Sequence, residues 1–380
     1  MIYFDNNATT KLAPEVFSAM RPFLEESFGN PSSSHQVGRA VRESVENARR
    51  SVAKLLGANA SEISFTSGGT ESDNWAIRGA LDASQGKKHI VTTRVEHEAV
   101  RNLCGLLGRN GHEVTWLDVD ENGELDLDRL GDSLKTETAV VSVMMANNET
   151  GILFPVEDVA RIVKERSDAL IHVDGVNAAG KIPIDLANTQ IDLFSISAHK
   201  FHGPKGIGAL YIRDGVELPA IAIGGGQEAG RRAGTEAVHQ IAGIGAAADL
   251  VRDLSSMTRV AGLRDMLERE ILHRIPDSSI NGTSDPARRL PNTSSISFEN
   301  TNGEAILARL DDAGICVSTG SACNSADHKV SPVLEAMNVP YSKAMGSIRF
   351  SLGRYNTDEE VVEVVSEVER IVAELRSLGD

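Results

Sequence analysis

From residue 36 onward the chain alternates between two hydrophobic periods. Val37, Val41, Val45, Ala48, Val52, Leu55 and Leu56 recur on one face at helical spacing and predict an amphipathic helix over 36–56, stopped by Gly57. Short apolar runs follow at 63–66, 89–93, 114–118, 139–145, 170–174, 192–197 and 207–213. Several are apolar on successive residues, as expected of strands covered on both faces. Helical patterns at 98–109, 127–134 and 156–165 fall between some of them, and another opens at Glu71. This succession predicts an α/β fold around a mainly parallel, seven-stranded sheet.

The pattern changes after about residue 235. A long helical region (236–275) leads to strand candidates near 293–298 and 347–352, with helices around 303–313 and 331–338 between them. Thr357 and Glu360 form a capping box that opens a last helix, with Val361, Val364, Val365 and Val368 on its apolar face. The expected division is a large α/β domain over 16–255 and a smaller α+β domain built from 256–380 together with 1–15. A length of 380 residues suits two cores better than one.

Composition narrows the function classes. Lysine and arginine number 38 against 54 aspartates and glutamates, a formal charge of −16 that argues against direct nucleic-acid binding. The three cysteines, Cys104, Cys316 and Cys323, make neither a disulfide framework nor a C-x-x-C zinc pattern. The opening MIYFDNNATT lacks the basic and apolar regions of a signal peptide, and no apolar run reaches membrane-spanning length. The expectation is a cytoplasmic protein with no metal and no membrane partner.

Three places carry chemistry. Thr66-Ser-Gly-Gly-Thr-Glu71 joins a strand to a helix start, where free N–H groups and the helix dipole favour an anion; by itself it reads first as a tight turn with a cap. Ser195-Ile-Ser-Ala-His-Lys200 ends a strand and places Ser197 and His199 beside Lys200. A lysine near other cations and out of water becomes a Schiff-base nucleophile. Asp174 closes the strand LIHVD, at the strand end where α/β sheets bind ligands, and is the acid partner that a pyridinium nitrogen needs. Each feature is weak alone, but together they describe a pyridoxal-phosphate site. The third place is Val317 to Lys329, where Cys323 sits among small polar residues, unlike Cys104 and Cys316 in their apolar settings. Cys323 is the candidate nucleophilic thiol, and the other two are assigned to packing.

With these residues in view, the sequence resembles the NifS/IscS-type cysteine desulfurases, fold-type I pyridoxal-phosphate enzymes of the class-V aminotransferase group. The resemblance spans the chain: YFDNNATT (3–10), FGNPSS (28–33), FTSGGTESDN (65–74), EHEAV (96–100), ANNETG (146–151), HVDGVN (172–177), SAHKFHGPKGIGALYIR (197–213), GGGQEAGRRAGTE (224–236), STGSAC (318–323) and IRFSLGR (348–354). The spacing of FENTNGEAIL and the YNTDEE ending lie nearer the NifS side.

The resemblance implies roles. Lys200 holds pyridoxal 5′-phosphate, Asp174 pairs with the ring nitrogen, and His97 stacks on the ring and assists proton transfer. Gly69, Thr70, Ser197 and His199 bind the phosphate, with Thr235 acting across a homodimer. Asn148 and Asn177 face the phenolic oxygen. Arg349, helped by Asn30, clamps the carboxylate of the substrate L-cysteine, and Cys323 takes its sulfur and passes it to an acceptor protein, an iron–sulfur scaffold or another carrier. The same scaffold also suits a selenocysteine lyase, an aminotransferase or, from a different class, a non-catalytic sulfur carrier. The chain departs from the family at Asn177, where Gln is usual, at Gly175, where Ala is usual, and at Ala229, where Arg is usual. It departs again in the NSADHKVSP segment after Cys323.

Overall fold

The seven apolar runs pair into one sheet in the computed structural model, which describes residues 1–319 and 330–378. In chain order the strands are β1 (Ile2–Tyr3), β2 (Ile63–Thr66), β3 (His89–Thr93), β4 (Glu113–Leu117), β5 (Thr138–Met144), β6 (Leu170–Asp174), β7 (Leu193–Ser197), β8 (Gly208–Ile212), β9 (Ser278–Ile280), β10 (Thr293–Phe298), β11 (Ile315–Cys316) and β12 (Ser347–Ser351). The large sheet runs β2-β8-β7-β6-β5-β3-β4, with β8 antiparallel to both neighbours and every other pair parallel. Strands β5 and β7 are buried at every position, which explains their lack of alternation.

Helices cover the sheet. In the helix Gln36–Leu56 the periodic residues from Val41 to Leu56 are buried, whereas Val37 is 46% exposed at its first turn. The helical region 236–275 is two helices, Val238–Val251 and Ser255–Arg274. Asp253 ends the continuity by accepting from the Ser255 N–H and hydroxyl, both at 2.9 Å. The helix Gly69–Ala83 starts two residues before Glu71, and the capping box of Thr357 and Glu360 opens Asp358–Ser377.

Ile2 and Phe4 join a separate apolar cluster with Val260, Leu267, Ile296, Phe350 and Val365. It lies beside the antiparallel sheet β12-β10-β9 and the short parallel pair β1-β11. The helix Pro332–Ala336 instead sends Val333 and Leu334 into the core under the large sheet. Among the described residues, no helix is long and apolar enough to cross a membrane.

Candidate active site

The C-terminal ends of the parallel strands converge on one cavity of about 210 Å³. Asp174 ends β6, Ser197 ends β7, and the loops after β3, β5 and β7 deliver His97, Asn148, His199 and Lys200. Strand β2 runs in the same direction as β7 and hands over to Gly69 and Thr70 at the same edge. Asn177, three residues beyond Asp174, completes the wall.

Lys200 donates through Nζ to the main-chain carbonyl of Asn7. Burial, together with the Arg349 charge, pushes its pKa down to about 8. Arg349 is buried on β12, where it donates to the Asn148 carbonyl at 3.0 Å and to the Asp5 carboxylate at 2.6 Å. Its Nε is buried without a partner. A planar fork with an unpaired Nε–H suits a carboxylate ligand.

Asp174 is 4% exposed and accepts from the Val176 N–H at 2.9 Å; burial and then the Asp73 charge raise it to about 6. Asp73 lines the same cavity, its Oδ1 buried with no hydrogen bond, and burial pushes it up to about 7. Ligand atoms of Asp73, His97 and Asp174 lie within 4.8 Å of one another. His97 caps the helix Glu98–Arg109, its Nδ1 accepting from the Ala99 N–H at 3.1 Å. That bond places the proton of the neutral ring on Nε2, and burial lowers the pKa and so favours this neutral form.

The start of Gly69–Ala83 has the N–H donors an anion needs. Its first N–H groups have no partner within the helix, and a Cβ on Gly69 would come to 2.7 Å from Val176 Cγ2. Gly208 lets β8 approach closely, since a Cβ there would meet the Gly68 Cα at 2.8 Å. His199, driven down to about 4 by burial and the Lys200 charge, stands beside this helix start as a neutral ring.

Nine of the expected site residues therefore share the cavity wall. Arg349 stands next to it, near enough that its charge lowers Lys200. Two others lie elsewhere on the single chain. Asn30 is exposed and its side-chain oxygen accepts from the Ser32 N–H at 2.9 Å; Thr235 is also exposed. Cys323 lies outside the described residues. The sequence reading passed over Asn7, Asp5, Asp73 and Lys181, although the first three fall within motifs quoted above.

The model of the family Aminotransferase class-V matches residues 2–364. The chain belongs to the class-V aminotransferases. It is 51% identical to a cysteine desulfurase of Trichormus azollae and 50% identical to the cysteine desulfurase NifS of Azotobacter vinelandii. Each alignment covers the whole of this chain and 94% of the relative. A solved NifS-like protein superposes with a TM-score of 0.92 at 40% identity, covering 98% of this chain and 100% of its own. These are fold-type I enzymes that use pyridoxal 5′-phosphate, and the cavity of this class-V chain fits that cofactor. It offers a depressed amine, a carboxylate for a ring nitrogen and free N–H groups at the start of Gly69–Ala83.

The departure at Gly175 has a local cause. A Cβ at this position would stand 1.9 Å from the Phe194 ring, so glycine and the bulky neighbour act as a pair. Gly175→Ala should destabilise the protein by about 1–3 kcal/mol through overpacking. Phe194→Leu in the same chain should recover most of that loss in a denaturant titration.

Proposed function

We propose that this class-V aminotransferase is a cysteine desulfurase, converting L-cysteine to L-alanine and leaving the sulfur as a persulfide on Cys323. The observation that carries this reading is Lys200, half-buried at the strand end on the wall of the cavity that Asp174 also lines, with its pKa brought down to about 8. When bound, pyridoxal 5′-phosphate supplies an electron sink for charge developing at the substrate Cα. Asp174, ionised above about pH 6, holds the ring nitrogen's proton. The helix start at Gly69, Thr70, Ser197 and neutral His199 bind the phosphate. Arg349, whose Nε is buried without a partner, binds the substrate carboxylate. Lys200 takes the Cα proton, and His97, its Nδ1 already engaged, serves as a donor through Nε2. The Cys323 thiolate then forms a bond to the substrate sulfur while the C–S bond breaks; the electron pair stays with carbon, which gains a proton to become alanine.

Asn30 assists at the carboxylate, and Thr235 acts across a homodimer. The sulfur passes from Cys323 to an acceptor protein, an iron–sulfur scaffold or another carrier, in the cytoplasm. The measurement that tests the reading is product analysis of the loaded enzyme with L-cysteine and a thiol reductant. Equimolar alanine and sulfide are expected; pyruvate in place of alanine overturns it. Comparison of L-cysteine with L-selenocysteine separates desulfurase from selenocysteine lyase. Because a base must be unprotonated, kcat should climb as pH rises through about 8, the region where Lys200 loses its proton. A rate that is flat across pH 7–9 would remove Lys200 as the rate-determining base.

A further inference from the structure

A second buried lysine lies beside the cavity, unused by the chemistry above. Lys181 is 6% exposed. Its Nζ donates to the Asn177 side-chain oxygen at 2.8 Å, to the Asn177 main-chain carbonyl at 3.0 Å and to the Asn7 side-chain oxygen at 3.1 Å. An ammonium has three N–H donors and no acceptor, so these three oxygens satisfy it fully. Burial, then the charges of Lys200 and Arg349, push Lys181 well below the ordinary lysine value, while the three oxygens around Nζ are the acceptors that its N–H groups need.

A side-chain amide carries an acceptor at one end and donors at the other, and its partners decide which way it faces. The oxygen of Asn177 is taken by Lys181, and Nδ2 gives one N–H to the Asn147 carbonyl at 3.3 Å. One N–H remains, on a side chain that lines the cavity. We propose that Lys181 is a positioning residue that holds the Asn177 amide so that an N–H, and not a carbonyl oxygen, faces the phenolic oxygen of the cofactor. The same Nζ steadies Asn7, whose carbonyl receives Lys200 and whose Nδ2 donates to the Asn148 carbonyl at 3.1 Å and to Thr293 Oγ1 at 2.8 Å. Lys181 thus braces two of the groups that fix the geometry around Lys200.

This role rests on the pyridoxal-phosphate reading of the cavity, and the experiment separates the two. Loaded wild type, Lys181→Met, Asn177→Ala, the double variant and Asn177→Asp are titrated with pH while the visible cofactor band is followed. Each unloaded form is also titrated with pyridoxal 5′-phosphate. An N–H on the phenolic oxygen competes for the lone pair that holds the proton of the lysine link, so its loss raises the midpoint of the band. Lys181→Met and Asn177→Ala should each raise that midpoint by about one unit and weaken cofactor binding about tenfold. In the Asn177→Ala background, Lys181→Met should add no further shift, as expected for two residues acting through one contact. A lysine that only packs would lower the melting temperature and leave the midpoint unchanged, which overturns the role. If Lys181→Met does not fold, Asn177→Asp decides: it keeps an oxygen partner for Lys181 but offers the cavity no N–H, and a wild-type midpoint there overturns the role. A wild type that takes up no colour overturns the cofactor reading instead.

Discussion

Lys200→Ala should abolish the visible band of covalently held cofactor and lower alanine release by about 10²–10⁴-fold. The substitution removes an amine whose pKa, near 8, lets it gain and lose a proton close to neutrality. The rest of the cavity stays intact. Asp174 remains at the end of β6, the helix start at Gly69 is untouched, and His199 keeps its contact with Thr9 Oγ1 at 3.2 Å. The variant should therefore still bind the cofactor, but noncovalently, so borohydride fixes it to wild type and not to the variant. Lys200→Arg should not restore activity, because a guanidinium cannot shed its proton. A small primary amine added to Lys200→Ala should restore part of the rate by occupying the vacated space. Wild-type turnover in Lys200→Ala would take this residue out of the reaction.

How much of this was legible depends on the range of the forces that place each residue. Strands β2, β3 and β6 lie where the apolar runs predict them, because burial on both faces writes itself directly into consecutive side chains. The break at 252–254 was hidden because no glycine or proline marks it; Asp253 ends the helix through its own side chain. The pairs β1 with β11 and β9 with β10 were invisible, since two- and three-residue strands carry no period, and β11 also lies more than 300 positions from β1. The docking of the N-terminal segment follows from such distant pairing, and with it the positions of Asp5 and Asn7 beside Arg349 and Lys200. Lys181 shows the limit most plainly. In AAGKIPI it reads as a surface charge, and only the fold brings Asn7 from 174 positions away to meet it. Conversely, the placement of Asp174 and Lys200 on one cavity wall was readable because each closes or follows a recognisable strand, and strand ends are where this architecture opens its clefts.

Cys323→Ser should keep the visible band and the exchange of the Cα proton, while alanine and sulfide release from L-cysteine fall to background. The two halves of the reaction use different groups. In the proposed mechanism proton exchange uses Lys200, Asp174 and the carboxylate fork of Arg349, none of which the substitution touches. Sulfur transfer needs a nucleophile that is anionic near neutral pH and that can form a stable bond to sulfur, and a serine hydroxyl meets neither condition. Neither remaining thiol can stand in. Cys104 is fully buried and its pKa is pushed up to about 12, and Cys316, half-buried on β11, is also raised by burial. Exchange of L-alanine in deuterated water, followed beside sulfide release, therefore separates the two halves within one protein. Exchange lost together with sulfide would mean that the substitution disturbs the cavity itself. Sulfide and alanine released at the wild-type rate would take Cys323 out of the reaction; the thiolate of the added reductant would then take the sulfur from the substrate, leaving the C–S electron pair on carbon.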